Sequence, residues 1–350
     1  MTPVQQELAI AVVKIGVIFA ALLTLFSVMT YAERRLLAFM QFRLGPNRVG
    51  PWGVLQPVAD GIKLFFKEET MPEGADRFAF VAAPIVAIAT AFTAIAVVPY
   101  GPPLTLPAMR FLPEWLAWLR GRQVTLQIAD LNVGLLFIFA ITALGVYGIV
   151  LAGWAANNKY SLIGGLRSSA QMFSYELALG LSWVGVIMLA GSFKVADIVN
   201  HQGGWFWTWN AILQFPAFLV YLIAGTAEVS RIPFDLPEGE TELVAGFHTE
   251  YSSMKFALIQ MAEYVNMITV SVLVTHLFLG GWHSGIPWLP PSFAWFAAKA
   301  LFMLFFFVWL RGTLPRFRYD QLMGFGWKVL IPIATLNILL TAALVTLAHR

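Results

Sequence analysis

The sequence predicts an all-α integral membrane protein with about eight transmembrane helices and one amphipathic helix in the cytoplasmic-side interface. Two observations lead to this prediction. Of 350 residues, 59% are hydrophobic and only 12% are charged, against roughly 25% charged residues in an ordinary soluble domain. The apolar residues also fall into runs of about twenty, the length that an α-helix needs to cross a ~30 Å hydrocarbon core.

Eight apolar runs are expected to be the transmembrane helices of a single polytopic membrane domain over residues 1–350. The first run lacks the cleavage site of a signal peptide and is expected to be retained. The runs cover residues 8–31, 79–98, 131–154, 166–191, 209–227, 256–281, 293–310 and 329–348. Four of them contain the ionisable residues Lys14, Glu176, Glu263, His276 and Lys299.

Loop charge predicts the orientation of these helices, because cytoplasmic loops carry an excess of Lys and Arg. The loops after the first, third, fifth and seventh runs hold fifteen Lys and Arg, whereas the loops on the other face hold four. An even number of crossings places both ends of the chain on one side. We therefore expect both termini to lie outside the cytoplasm.

The first cytoplasmic loop contains a helix of its own. Between residues 54 and 67, six apolar residues recur at helical spacing and four polar residues lie opposite them. Fourteen residues are too few to span the membrane, so this helix is expected to lie in the interface. A re-entrant or simple packing helix is the alternative.

Acidic residues are concentrated in one part of the chain. Seven of the 19 acids lie between residues 228 and 263, where prolines and glycines also interrupt the backbone. A carboxylate in or beside hydrocarbon is costly to ionise, so it can hold a proton near neutral pH. Several such groups in contact would form a proton relay, and a solvated acidic loop over residues 235–242 is the alternative. Glu263 favours the relay, because its surroundings are membrane-like.

Two further acids, Glu176 and Glu33, lie at the ends of apolar runs on the same predicted face. Arg34 and Arg35 are possible surface partners of Glu33. Three separated acids at helix ends on one face nevertheless favour a shared polar cavity.

The residue types that are present exclude several kinds of site. The chain has no cysteine, so it holds no disulfide, thiolate zinc site, cysteine nucleophile or cysteine-ligated iron–sulfur cluster. Only one of its five histidines, His276, lies plainly within an apolar run, whereas a membrane haem held by two histidines needs a pair. No glycine-rich nucleotide-binding motif occurs.

Three long segments resemble the hallmark segments of a known family. Residues 33–69, which include GPNRVGP, and residues 227–264, which include PFDLPEGE, are similar to the bacterial H subunit, or mitochondrial subunit one, of respiratory complex I. Residues 311–328 resemble its third such segment. The likeness covers nearly the whole chain and implies a membrane component of the proton-translocating NADH:quinone oxidoreductase.

The resemblance implies partners, a substrate and a location. The protein would dock beneath the peripheral arm beside neighbouring membrane subunits, and it would bind no nucleic acid. It would form most of the membrane-side chamber that ubiquinone enters. It would carry no cofactor alone, because FMN and the iron–sulfur clusters would lie in partner subunits. It would be a multi-pass protein of the bacterial cell inner membrane with both termini in the periplasm.

The resemblance also implies functional residues. Those expected to line the quinone path or its mouth are Arg34, Asp60, Arg231, Asp235, Met261 and Arg311. Those expected to form an acidic funnel that passes protons toward the pumping subunits are Glu33, Glu69, Glu176, Glu228, Glu238, Glu240, Glu242, Glu250 and Glu263.

Three other functions are alternatives to this one. The related membrane subunit of an energy-converting hydrogenase is disfavoured by the completeness of the segment 33–69. A secondary transporter would show two halves with similar interrupted helices, and no such halves are visible in the sequence. A purely structural anchor is disfavoured by the intramembrane Glu263.

Overall fold

The computed structural model describes residues 3–105, 123–237, 239 and 243–348. Within these residues, seven helices are long and apolar enough to cross a membrane, and an eighth apolar helix, Phe215–Glu228, is shorter. The prediction of an all-α membrane protein with about eight spans is thereby confirmed.

The helices are numbered here in chain order. They are α1 Pro3–Met40, α2 Gln56–Phe66, α3 Arg77–Ile95, α4 Gly134–Ala155, α5 Lys159–Ala190, α6 Val195–His201, α7 Asn210–Leu213, α8 Phe215–Glu228, α9 Ser253–Leu277, α10 Phe293–Thr313, α11 Tyr319–Phe325 and α12 Ile331–Ala348. A π-helical turn, Gly326–Leu330, joins α11 to α12, and short 3-10 turns lie at Pro51–Gly53, Phe206–Thr208 and Gly246–His248. Two short strands, Leu104–Thr105 and Gln123–Val124, pair antiparallel.

Local sequence explains several helix ends. The Asp76 carboxylate accepts a hydrogen bond from the Ala79 N–H at 3.0 Å and begins α3, and Asn158 caps α5 in the same way. Gly191 ends α5 in the left-handed conformation, with φ 66°, which glycine adopts without steric cost.

The apolar run over residues 209–227 is divided between α7 and α8. Pro216 lies in the first turn of α8, where its missing N–H costs no helical hydrogen bond. The same missing N–H prevents α7 from continuing into α8. The fifth run is therefore a short helix preceded by a separate turn.

Small residues let backbones approach closely around α5. A Cβ added at Gly153 of α4 would lie 2.7 Å from the Ser161 carbonyl oxygen. A Cβ added at Gly164 would lie 2.7 Å from the backbone nitrogen of Phe247. Helices in lipid associate largely through such close packing, so α5 supports both α4 and the turn Gly246–His248.

Burial separates central from peripheral helices. The apolar part of α9 is 67% buried, whereas that of α1 is only 6% buried. Helix α2, with 11 residues, is too short to cross a membrane, and its side chains Val58, Ile62 and Phe65 are exposed. Its apolar exposure suits insertion into an interface.

Candidate functional site

A cavity of about 680 Å³ lies between α1, α2 and the first half of α9. Its apolar wall includes Phe26, Leu37, Leu64 and Met261. We call it the arginine-lined cavity after its charged lining, which consists of Glu33, Arg34, Arg43, Asp60, Arg231 and Arg311. A mostly apolar chamber with a few charged groups is the usual form of a small-molecule site.

Glu33 connects the charges of this cavity. Its carboxylate is 3% exposed and pairs with two arginines. The Oε1 atom lies 3.3 Å from Arg231 Nη1 and also pairs with Arg311 Nη1. The Tyr264 hydroxyl donates to Oε2 at 2.7 Å. Four separate segments of the chain therefore meet at one buried carboxylate.

Arg231 lies in the loop after α8 and is itself buried. Its guanidinium lies over the Tyr264 ring, 4.4 Å from the centroid, in cation–π geometry. Burial opposes the charge of Arg231, but Glu33, Tyr264 and Glu263 together outweigh burial and raise the pKa of the guanidinium. The side chain is therefore a fixed positive charge in the cavity wall.

A second ion pair lies at the α2 side of the cavity. Arg34 Nη1 lies 2.5 Å from Asp60 Oδ2, and Gln56 donates to Asp60 Oδ1 at 2.9 Å. Partial burial works against ionisation of Asp60, but the hydrogen bonds from Gln56 and Arg34 and the positive charges of Arg34 and Lys63 together outweigh it and hold the pKa of this carboxyl below its ordinary value. Asp60 thus anchors α2 to the end of α1 as an ionised group.

A smaller cavity of about 50 Å³ lies between α3, α4, α5 and α9. We call it the acidic cavity, because its lining includes Glu176, Glu228 and Glu263. Glu176 and Glu228 line the same small space, and Oε1 of Glu176 is buried without a hydrogen-bond partner among the described residues. At about 10–15 Å³ for each water, the cavity has room for several molecules.

The two cavities lie on opposite sides of the same two chain segments. Along α9, Met261 and Tyr264 line the arginine-lined cavity, whereas Glu263 lines the acidic cavity. After α8, Arg231 lines the former and Ser230 the latter. Opposite charges on Arg231 and Glu263 also attract each other. The two cavities are therefore separated by a single layer of residues.

Most of the predicted quinone residues meet at one place. Arg34, Asp60, Arg231, Met261 and Arg311 all line the arginine-lined cavity. Asp235 lies outside that lining, where it is buried and pairs with Arg316 Nη2 at 2.9 Å. Its position in the sequence, four residues after Arg231, gave no sign of that separate partner.

The predicted acids are more dispersed. Glu176, Glu228 and Glu263 share the acidic cavity, but Glu33 lines the other cavity, so the expectation of one cavity shared by Glu33, Glu176 and Glu263 is wrong. Arg34 points to α2 and leaves Glu33 to Arg231 and Arg311, which corrects the idea of a surface pair with its neighbours.

Two of the remaining acids lie outside both linings. Glu69 is 52% exposed and pairs with Lys255 at 2.5 Å. Glu250 accepts a hydrogen bond from Asn158 Nδ2 at 2.6 Å. The predicted acids Glu238, Glu240 and Glu242 lie outside the residues that the structure describes.

Several site residues escaped the sequence reasoning. Tyr264 binds Glu33, and Asn266 and Thr142 line the acidic cavity. Tyr264 and Asn266 closely follow Glu263 in a membrane-like stretch, and polar residues within an apolar run are functional candidates by default. The same signal therefore applies to Tyr264 and Asn266 as it does to Glu263.

Comparisons with known proteins agree with the family resemblance. A family model described as NADH dehydrogenase matches residues 13–342. The chain is 54% identical to an H subunit of NADH-quinone oxidoreductase, the one numbered 1, from Geobacter metallireducens over 341 residues, which cover 97% of this chain and 98% of that protein. It is 52% identical to the second H subunit of Geobacter sulfurreducens, with the same coverage, and 49% identical to the second H subunit of Koribacter versatilis over 349 residues. These alignments include nearly the full length of each protein.

Proposed function

The chain belongs to the NADH dehydrogenase family and, within it, to the H subunits of proton-translocating NADH-quinone oxidoreductase, and we propose that it forms the quinone chamber and the first part of the proton relay. This enzyme is complex I of the respiratory chain, whose other subunits are the partners of the chain and carry FMN and the iron–sulfur clusters. The chain is a multi-pass inner-membrane protein. Its full-length similarity to H-subunit proteins favours complex I over a hydrogenase component or a transporter.

The observation that carries the proposal is the Glu33, Arg231 and Arg311 cluster in the wall of a large, mainly apolar cavity. The apolar wall suits the ring and isoprenoid tail of ubiquinone. Reduction of a quinone to a quinol takes two electrons and two protons, so negative charge develops at the oxygens before the protons arrive. Arginines in a low-dielectric chamber stabilise such charge far more than they would in water. Arg34, Asp60 and Met261 would line the access path.

Asp235 would support the quinone site without lining it. It is 5% exposed and holds Arg316 beside the loop that carries Arg231. Through its pair with Arg316, Asp235 would hold the loop that carries Arg231 at the rim of the quinone path. It would not touch the quinone itself.

The acidic cavity supports the proposed proton relay. Glu176, Glu228 and Glu263 lie around a space that has room for water, and repulsion between neighbouring carboxylates favours states in which they share protons. The charge of a reduced quinone would act on Glu263 through Arg231 and move protons among these groups. Glu69, Glu238, Glu240, Glu242 and Glu250 would extend this acidic funnel.

The orientation in the membrane is part of the proposal. The excess of Lys and Arg on the loops around the arginine-lined cavity supports a cytoplasmic position for that side and a periplasmic position for both termini. The cavity would then face the peripheral arm, where electrons reach the quinone.

The decisive experiment replaces Glu228 and Glu263 separately by Gln in the assembled enzyme. Gln keeps size and hydrogen bonding but cannot carry a titrating proton. Each variant is expected to slow ubiquinone reduction and proton pumping in membranes while NADH oxidation by an artificial acceptor, which bypasses the quinone, stays normal. Asp320→Asn is the matched control, because Asp320 is an exposed carboxylate outside both linings. Normal pumping in both Gln variants would refute the relay.

A further inference from the structure

A third, very small cavity lies beyond the acidic cavity along α9. It has a volume of about 10 Å³ and is lined by residues of α4, α5, α8 and α9. We call it the deep cavity. Thr142, Glu228 and Asn266 line both the deep and the acidic cavity. The two spaces therefore share three polar side chains.

One residue that lines the deep cavity has a buried donor without a partner. Trp183 of α5 lines the cavity and is 4% exposed. Its indole Nε1–H makes no hydrogen bond within the part of the chain that the structure describes. Because nearly all buried N–H groups in proteins have a partner, which is often an ordered water, this orphaned donor indicates a bound water.

The remaining lining can complete the coordination of that water. The hydroxyls of Thr142 and Thr269 donate within their own helices, to Phe139 O at 3.0 Å and Val265 O at 2.9 Å, and so keep lone pairs free to accept. Asn266 offers an amide and Glu228 a carboxyl group. A cavity of about 10–15 Å³ holds one water if two to four polar partners surround it, and this cavity meets both conditions.

The polar residues of α9 continue along the helix away from the arginine-lined cavity. Glu263, Asn266 and Thr269 follow one another at three-residue steps, so each lies about 60° around the helix from the one before it, and this polar line winds around α9. At 1.5 Å per residue, Thr269 lies about 9 Å further from the arginine-lined cavity than Glu263 does. The polar lining therefore continues past the carboxylates toward the middle of the bundle.

We propose that one water bound between Trp183, Thr142 and Asn266 holds the Glu228 carboxyl on its inner side, with Asn266 as the positioning residue. The proposal rests on the proton relay proposed above and assigns its innermost element. The water gives Glu228 a hydrogen-bond partner on the side away from the quinone. This partner keeps the carboxyl turned inward after it has taken up a proton from the acidic cavity.

Two variants test the water site without removing a carboxylate. Trp183→Phe keeps an aromatic ring in the packing with Phe139 and Tyr221 but removes the N–H. Asn266→Leu keeps the branched shape of the side chain but removes the amide. Each is expected to slow ubiquinone-driven proton pumping about fivefold, the effect of one lost neutral hydrogen bond, with the KM for ubiquinone unchanged. Asn266→Asp, which can still bind the water, is expected to recover most of the rate.

Ser271→Ala is the matched control. Ser271 is fully buried in α9 and donates to Met267 O at 2.8 Å, but it lines none of these cavities. Its replacement is expected to leave pumping unchanged. A pumping loss in Ser271→Ala equal to that in Asn266→Leu would mean that α9 packing is responsible, and it would overturn the proposal.

Cryo-electron microscopy of the assembled complex supplies the direct test. The wild-type map is expected to show ordered water within about 3 Å of Trp183 Nε1, and the Trp183→Phe map is expected to lack it. An empty deep cavity in the wild type, or normal pumping in both Trp183→Phe and Asn266→Leu, would overturn the water site. If Glu228→Gln still slows pumping in that case, the relay stands without this element. Normal pumping in both Glu228→Gln and Glu263→Gln as well would refute the relay itself.

Discussion

Glu33 and Arg231 are 198 residues apart in the sequence, yet Oε1 of one lies 3.3 Å from Nη1 of the other. Glu33 belongs to the peripheral α1, and Arg231 follows α8 directly after the segment that carries Glu228. Both side chains are buried. The pair therefore fastens the wall of the arginine-lined cavity to the backbone that also borders the acidic cavity.

Glu33→Gln is predicted to destabilise the assembled enzyme. The change leaves Arg231 and Arg311 without their shared counter-charge, and breaking a buried ion pair costs about 3–5 kcal/mol. Thermal inactivation of the purified complex, followed by quinone reductase activity, measures the effect. Asp320→Asn, which breaks an exposed pair with Arg318, serves as the control and is expected to leave the inactivation temperature unchanged. Equal inactivation temperatures for the Glu33 variant and the wild type would contradict the prediction.

Tyr264→Phe is predicted to slow ubiquinone reduction while the enzyme still assembles. The variant loses the 2.7 Å hydrogen bond to Glu33 but keeps the ring beneath Arg231. A hydrogen bond to a charged group contributes about 1.5–3 kcal/mol, so about a tenfold loss or more is expected. Tyr264→Leu, which also removes the ring, should lose more activity than Tyr264→Phe. Identical rates in these two variants would assign the whole effect to the hydroxyl.

Arg34→Ala and Arg311→Ala are predicted to weaken ubiquinone turnover and to spare NADH oxidation by an artificial acceptor. Both arginines line the cavity that we assign to the quinone, whereas the artificial acceptor takes electrons before they reach it. Steady-state rates with both acceptors, measured on the same membranes, separate the two activities. Arg318→Ala, at an exposed position, is the control. A parallel fall in both activities would instead indicate a role in assembly or electron delivery.

The sequence predicted the membrane helices, but it did not predict which charged side chains pair with one another. Runs of apolar residues report directly on the membrane, and Glu263 was identified by its surroundings alone. The pairing of Glu33 with Arg231 and Arg311 depends on how α1, the α8 loop and α10 pack, and no local pattern encodes that. Asp235 illustrates the same limit, because its partner Arg316 lies 81 residues away.

The division of the acids between two cavities also required the structure. Successive residues of a helix point in directions about 100° apart, so Glu263 and Tyr264 face different cavities although they are adjacent. Residues that are neighbours in the sequence therefore need not share a cavity, because the helix turns their side chains in different directions. The break at Pro216 was in principle readable from the sequence, because proline cannot continue a helix from the preceding turn.

Asp60 is predicted to remain ionised throughout the working pH range of the enzyme. The pKa of Asp60 lies below the ordinary value of about 3.9. The Arg34–Asp60 contact therefore contributes its stability above that value and loses it only as pH falls through the lowered pKa. The ratio of ubiquinone reductase rates between Asp60→Asn and the wild type should stay constant from about pH 5 to 8. A ratio that approaches one toward pH 5 would show that Asp60 titrates within this range.

The orientation of the chain in the membrane is measurable by labelling single introduced cysteines. The chain contains no cysteine, so a single introduced cysteine is its only thiol target. His201→Cys, at the exposed end of α6, is expected to react with a membrane-impermeant thiol reagent in cells with a permeabilised outer membrane. Glu68→Cys, at an exposed position after α2, is expected to react only after the inner membrane is opened. The reason is the excess of Lys and Arg in the loops on the α2 side, since such loops stay in the cytoplasm.

A reporter fused after Arg350 gives an independent measurement and should be active only if it functions in the periplasm. Labelling of Glu68→Cys but not His201→Cys in cells with an intact inner membrane would invert the topology and place the arginine-lined cavity on the periplasmic side, away from the source of electrons.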